Sequence, residues 1–198
     1  MPIPATLRLA TAADAAAIAA IYAPYVTDSV ISFELVPPDA AEMAGRIERI
    51  VARTPYVVAE VDGVVRAYAY GSRHRDRAAY DWTVETTVYV DRSLHRSGLG
   101  RRTMVAVLDL LRLQGAHLAV AGITPPNPGS IGLHEALGFR DIGTFEAIGY
   151  KFGAWHGVTW MALELGPRAD VPAPLRPMPE LAVTAEAEMR EILERGSR

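Results

Sequence analysis

The stretch from Val84 to Ile123 constrains the fold more than any other part of the chain. It begins in a run rich in β-branched and aromatic residues, Trp82 to Val90, and reaches a turn at Gly98-Leu99-Gly100. Next comes a helical run with Met104, Val107, Leu108 and Leu111 on one face, ending near Gln114-Gly115, and then a second β run from His117 to Ile123. Strand, glycine-rich turn, helix and strand in that order make a βαβ unit, which demands a parallel strand pair and a helix packed on the sheet. The turn also carries chemistry. Gly98 and Gly100 let the backbone approach a ligand closely, and the helix behind them starts with unpaired N–H groups at its positive end. Both features favour a phosphate, and Arg96, Arg101 and Arg102 add positive charge there. A βα turn also takes glycine for geometry alone, so spacing leaves both readings open. No Lys-Ser/Thr pair follows, which excludes a P-loop, and Thr103 stands where a dinucleotide fingerprint has its third glycine.

The flanking segments supply the rest of a sheet. Leu7-Arg8-Leu9 reads as a short strand, and Thr11 with Asp14 reads as a capping-box variant opening an Ala-rich helix. Pro24 is expected to limit that helix, leaving residues 25–36 irregular or extended. Pro37-Pro38-Asp39 starts a second helix with Met43, Ile47, Ile50 and Val51 at helical spacing. Asp62-Gly63 between two β runs is a hairpin signal. Ser130 to Leu137 is a short helix with Ser130 as the expected N-cap and Gly138 at its end. Two β runs around Trp155 and Trp160 follow. Past Gly166 five prolines mark a linker, and Glu180 to Arg195 reads as one amphipathic helix. The expected division is therefore 1–166 and a 167–198 tail.

Composition narrows the function classes. The chain of 198 residues has no cysteine, which excludes disulfides, thiolate metal sites and a cysteine nucleophile. A formal charge of −3 gives no electrostatic drive toward nucleic acid or an anionic membrane. The five histidines lack metal-ligand spacing, so no metal site is expected. Of the 20 lysine and arginine residues only Lys151 is lysine. With no leader and no apolar stretch near the ~20 residues that span a bilayer, the expectation is a soluble cytoplasmic protein.

His95-Arg96-Ser97-Gly98-Leu99-Gly100 resembles the Gln/Arg-x-x-Gly-x-Gly/Ala motif of the GNAT superfamily of N-acetyltransferases, with His95 in place of Gln or Arg. Three further stretches are similar to the phosphinothricin and methionine-sulfoximine acetyltransferases within it: Tyr80 to Val90, Leu133 to Phe139, and Gly149 to Gly153 with Trp155-His156. The similarity covers roughly residues 6–166.

The resemblance implies an α/β fold with a mixed, mostly antiparallel central sheet flanked by helices, and acetyl-CoA as co-substrate. Val88-Tyr89-Val90 would pair with the pantetheine arm along a splayed strand edge. Arg96, Ser97, Gly98, Leu99, Gly100 and Arg101 would hold the pyrophosphate, and Asn127 would contact the pantetheine or adenosine portion. Glu85 takes the place of a general base that removes a proton from the acceptor amine. His134 takes the place of the group that protonates the departing thiolate; its alternative is a helix residue packed on the sheet. Arg75 and Arg77 would fork an acceptor carboxylate, with Phe33, Tyr80, Thr86 and Thr87 around it. Tyr150 and Lys151 border the site or a contact in the homodimer that the resemblance implies. The reaction implied is direct acetyl transfer to the primary amine of a small amino-acid-like acceptor. Other amines (a polyamine, an aminoglycoside, a protein N-terminus) and a non-catalytic acyl-CoA-binding module are the alternatives.

Overall fold

Strand pairing in the computed structural model, which describes residues 3–198, follows the order β1-β2-β3-β4-β5-β7-β6 in one sheet. The strands are β1 (Thr6–Leu9), β2 (Tyr56–Val61), β3 (Val64–Arg73), β4 (Thr83–Val90), β5 (Leu118–Ile123), β6 (Arg140–Lys151) and β7 (Ala154–Glu164). Only β4 and β5 run parallel; every other neighbouring pair is antiparallel. That one parallel pair needs a crossover, and the helix α3 (Leu99–Gln114) supplies it. Gly98 and Gly115, with φ of +84° and +92°, sit in the left-handed region at its two ends. The β2–β3 hairpin turns on Asp62 and Gly63, both at positive φ, as a type I′ turn requires.

Around β2 and β3 the sheet is covered on both faces. Val57, Ala59, Val84, Ala119 and Ala121 pack with α3 in one core cluster. Tyr56, Val58 and Tyr68 pack on the other face with α1 (Ala15–Thr27) and α2 (Ala40–Val51). Burial on both faces is why Tyr56 to Ala59 is an unbroken apolar run rather than an alternating one. Asp39 caps α2 by accepting the Glu42 N–H at 2.8 Å.

Three expectations are corrected. Pro24 does not limit α1, which runs on to Thr27 with the proline inside it. Tyr22, Tyr25 and Val26 are all buried, and that packing outweighs a lost backbone bond worth roughly 3 kcal/mol. The helix α4 (Pro128–Ala136) is capped by Asn127, not Ser130: the Asn127 side chain accepts the Ser130 N–H at 3.2 Å, and Pro128 holds the first helical position. The tail forms two helices, α5 (Met178–Thr184) and α6 (Glu186–Ser197), broken at Ala185. Met178, Leu181, Ala185 and Met189 are buried in the α3 cluster, so the tail shares the core of the first 166 residues. Gly196 packs so closely on Leu7 that a Cβ would lie 2.6 Å from its side chain. Arg102 serves this junction too, donating to the Ile3 carbonyl at 2.6 Å rather than facing the glycine turn. No helix among the described residues is long and apolar enough to cross a membrane.

Candidate active site

The site begins where β4 and β5 part. Thr83, Val84 and Glu85 pair with Leu118, Ala119 and Val120, and the pairing stops there. The Thr86 hydroxyl, donating to the Val120 carbonyl at 3.2 Å, closes the apex. On its other side β4 stays paired with β3 as far as Val90, and Asp91 N–H still reaches the Arg66 carbonyl at 2.7 Å. Because ladder bonds alternate along an antiparallel strand, the odd-numbered residues of β4 bond to β3. Thr86, Val88 and Val90 therefore turn their main-chain groups toward the gap that β5 has left.

That gap is a cleft of about 390 Å³, lined along one side by Thr86 to Val90 and by the turn from His95 to Arg101. At its far side lie Ala121 to Thr124, Asn127, Ser130, Leu133 and His134. The close approach of α3 to β4 depends on Gly100, where a Cβ would stand 3.1 Å from Val90 and 3.7 Å from Val88 side-chain carbons. Arg96 and Gly98, at φ of +62° and +84°, turn the backbone sharply into the start of α3, where Ser97 N–H donates to the Leu94 carbonyl and Leu99 N–H to the Ser97 hydroxyl, each at 3.3 Å. The positive end of the helix suits an anion. The cofactor-binding residues expected from sequence thus line one cleft. One feature there was not anticipated. The Tyr25 hydroxyl, kept protonated by burial, donates to the Val90 carbonyl at 2.5 Å and contacts His95 Nε2 at 2.6 Å. With its proton on the carbonyl, Tyr25 accepts from His95, which fixes a proton on Nε2. Tyr25 lies on a helix remote in sequence, and no local pattern marks it.

His134 is buried, and its Nδ1 lies 2.8 Å from the Ser130 carbonyl. A carbonyl only accepts, so the proton sits on Nδ1 and the neutral ring offers a bare lone pair at Nε2. Burial holds its pKa below the ordinary 6.5. The neutral ring can only accept at Nε2, which has no partner among the described residues, and donation from that atom needs the imidazolium that burial disfavours.

The opposite face of β4 carries a second set of candidate side chains. Glu85 and Thr87 share that face, in register with Ser72 and Tyr70 of β3. His74 Nδ1 stands 3.5 Å from Glu85 Oε2. Trp160 of β7 lies opposite Gly122 of β5, the exposed glycine beyond the apex. Phe33 packs on Gly149 so tightly that a Cβ there would fall 2.2 Å from its ring, and it faces His156 at 6.4 Å. The segment carrying Phe33 is held from below by Lys151, whose Nζ donates to the Val26 and Ser32 carbonyls at 2.6 and 2.7 Å. Glu34, beside Phe33, is occupied by a two-pronged pair with Arg46 at 2.7 and 2.9 Å, which holds its carboxyl below the usual range.

Arg75, Arg77 and Tyr80 are exposed; Tyr80 stands edge-on to His74 at 6.1 Å, and Arg75 donates to the neighbouring His74 carbonyl at 3.1 Å. No group of three or more His, Cys, Asp or Glu among the described residues could hold a metal ion.

A helix N-terminus behind a sharp turn, a glycine that a side chain would fill and an unpaired strand edge suit the pyrophosphate and amide-rich arm of coenzyme A. Comparison with known proteins agrees with that geometry. The acetyltransferase (GNAT) domain model matches residues 7–160. Phosphinothricin N-acetyltransferase of Streptomyces viridochromogenes is 42% identical over 175 residues, 88% of this chain and 93% of its own length. L-methionine sulfoximine/L-methionine sulfone acetyltransferase of Salmonella typhimurium is 37% identical over 166 residues, 83% of this chain and 96% of its own. A GNAT superfamily phosphinothricin acetyltransferase from Sinorhizobium meliloti, solved in complex with AcCoA, superposes with a TM-score of 0.84 at 37% identity, covering 89% of this chain and 97% of that one. The chain belongs to the GNAT acetyltransferase family.

Proposed function

We propose that the protein transfers the acetyl group of acetyl-CoA to the primary amine of a small amino-acid-like acceptor of the phosphinothricin or methionine sulfoximine type, by direct attack in a ternary complex. One observation carries this reading: the β4–β5 pairing ends at Glu85, so a carboxylate stands at the point where the strand edge opens. Relatives named for phosphinothricin and methionine sulfoximine support the acceptor class.

The residues divide the work. Arg96 to Arg101 hold the pyrophosphate on main-chain N–H groups, and Val88 to Val90 pair with the pantetheine arm. Glu85 accepts a proton from the acceptor ammonium, directly or through one water, freeing the lone pair that attacks the thioester carbonyl. The free N–H of Val88 polarises that carbonyl as charge builds on its oxygen. His134 accepts a hydrogen bond at Nε2, and the departing thiolate takes its proton from solvent. Phe33, pinned by Lys151, covers the acceptor. Two copies meet through the β6–β7 hairpin, where Phe145, Ile148, Tyr150, Phe152 and Trp155 are each more than half exposed beside a sheet edge. Acetyl-CoA supply places the enzyme in the cytoplasm.

Following CoA release with a thiol reporter over a panel of amines tests the reading. Release with phosphinothricin or methionine sulfoximine in preference to polyamines, aminoglycosides and peptides is expected. Tight acetyl-CoA binding without release for any acceptor would replace it with a binding module. Sedimentation at micromolar concentration should give twice the chain mass.

A further inference from the structure

Two buried polar atoms in the acceptor half have nothing to bond to. His74 Nδ1 and Trp160 Nε1 lack hydrogen-bond partners among the described residues. They belong to neighbouring rings: the imidazole stands edge-on to the Trp160 indole at 5.7 Å and edge-on to Tyr80 at 6.1 Å. An unpartnered buried nitrogen carries a desolvation cost, and a fold that retains one calls for an explanation. The side chain 3.5 Å from Nδ1 is Glu85, the acid at the strand apex. Nδ1 itself is buried, while the ring keeps 18% of its surface in solvent. The imidazole thus spans from the reacting pocket to water. Glu85 faces it from β4 and Tyr80 from the following turn. In its own segment Arg73 is committed to Asp81 at 3.1 Å, and Arg75 is turned to the His74 main chain.

We propose that His74 is the positioning partner of Glu85, accepting at Nδ1 the hydrogen bond of the carboxylic acid that Glu85 becomes and carrying to solvent the proton that Glu85 takes from the acceptor. The inference rests on the reading of Glu85 as the base. The acceptor arrives as an ammonium, and one N–H proton passes to Glu85. The freed lone pair forms the C–N bond while the C–S bond breaks and its electrons leave on the thiolate. The nitrogen then sheds a second proton, and the thiolate gains one from solvent. The proton on Glu85 passes to the bare Nδ1, the imidazole releases the one on Nε2 to water, and exchange with water returns the ring to its Nε2–H tautomer before the next turnover. Ammonium and thioester become amide, thiol and one proton.

Three variants test this: His74→Ala, His74→Gln and Glu85→Gln, assayed for CoA release across about pH 6 to 9 with and without added imidazole, with acetyl-CoA affinity as the measure of an intact fold. In His74→Ala, kcat should fall about tenfold, with a changed pH profile, unchanged acetyl-CoA affinity and several-fold recovery with imidazole. His74→Gln can accept the hydrogen bond of the protonated carboxyl but cannot carry a proton, so it should be slowed without recovery. Glu85→Gln should be slowed further and be insensitive to imidazole. A His74→Ala enzyme with the parent rate and profile would overturn the proposal. So would one that is slow, binds acetyl-CoA, keeps the parent profile and ignores imidazole, since that is a packing role. If the alanine variant fails to fold, the pH profile of His74→Gln decides, and a parent-like profile refutes. Full turnover in Glu85→Gln would instead remove the base reading, and the relay with it.

Discussion

The two halves of the site are built from different materials. The proposed coenzyme half is main chain: the edge of β4 and the turn before α3, contiguous within the βαβ unit. The proposed acceptor half is side chain: Phe33, His74, Glu85 and Trp160 come from four separate segments of the chain. A main-chain site is indifferent to most side chains and intolerant of lost space or lost glycine. A side-chain site is the reverse. His95, which departs from the usual Gln or Arg of the motif, leaves the left-handed backbone at Arg96 and Gly98 in place.

This contrast gives separable expectations. The largest effect outside Glu85 should come from Gly100→Val, whose Cβ and branches would fill the 3.1 Å gap to Val90. Losing two or so charge-assisted hydrogen bonds at about 1.5 kcal/mol each should weaken acetyl-CoA binding about a hundredfold, read by calorimetry, with the acceptor KM unmoved. An equal rise in both constants would break the division into halves. Lys151→Met should act on the other side. It strands the Val26 and Ser32 carbonyls, loosens the segment under Phe33, and should raise the acceptor KM about tenfold while acetyl-CoA affinity holds. Combining the two variants should give additive free energies, because the sites share no partner.

His134 sharpens the boundary through pH. Its folded pKa lies below the unfolded value, so the unfolded chain takes up a proton first as pH falls. The stability of the neutral native ring is therefore intact above about pH 6.5 and declines as pH drops from there toward the folded pKa. Thermal melts of His134→Gln should show a smaller loss of Tm between about pH 7 and 5 than the parent, and equal slopes would refute the neutral assignment. Tyr25→Phe is expected to have the smallest effect, a few-fold loss of acetyl-CoA affinity, because it removes a donor to one carbonyl and the acceptor that orients His95.

What the sequence disclosed follows the same line. The βαβ unit, the hairpin at Asp62-Gly63 and the glycine turn are local, each set by residues within a few positions of one another, and each stands where the sequence put it. Pro24 misled because burial of Tyr22, Tyr25 and Val26 acts over longer distances than helix propensity. Ser130 misled because Asn127 and Ser130 are both good caps and Pro128 decides between them. The partnership of His74 with Glu85 and the hydroxyl of Tyr25 on Val90 have no local signature, since both arise only when distant elements pack. Arg75 and Arg77 have the right chemistry for a carboxylate, and both stand exposed in the loop after β3.

The division between a main-chain coenzyme site and a side-chain acceptor site is tested most directly by measuring turnover and acetyl-CoA affinity together in Glu85→Gln. With the best acceptor from the panel, kcat should fall roughly 10²- to 10⁴-fold while the acetyl-CoA Kd stays within about twofold of the parent. Parent-like turnover, or a loss of acetyl-CoA binding that accounts for the lost rate, would contradict it.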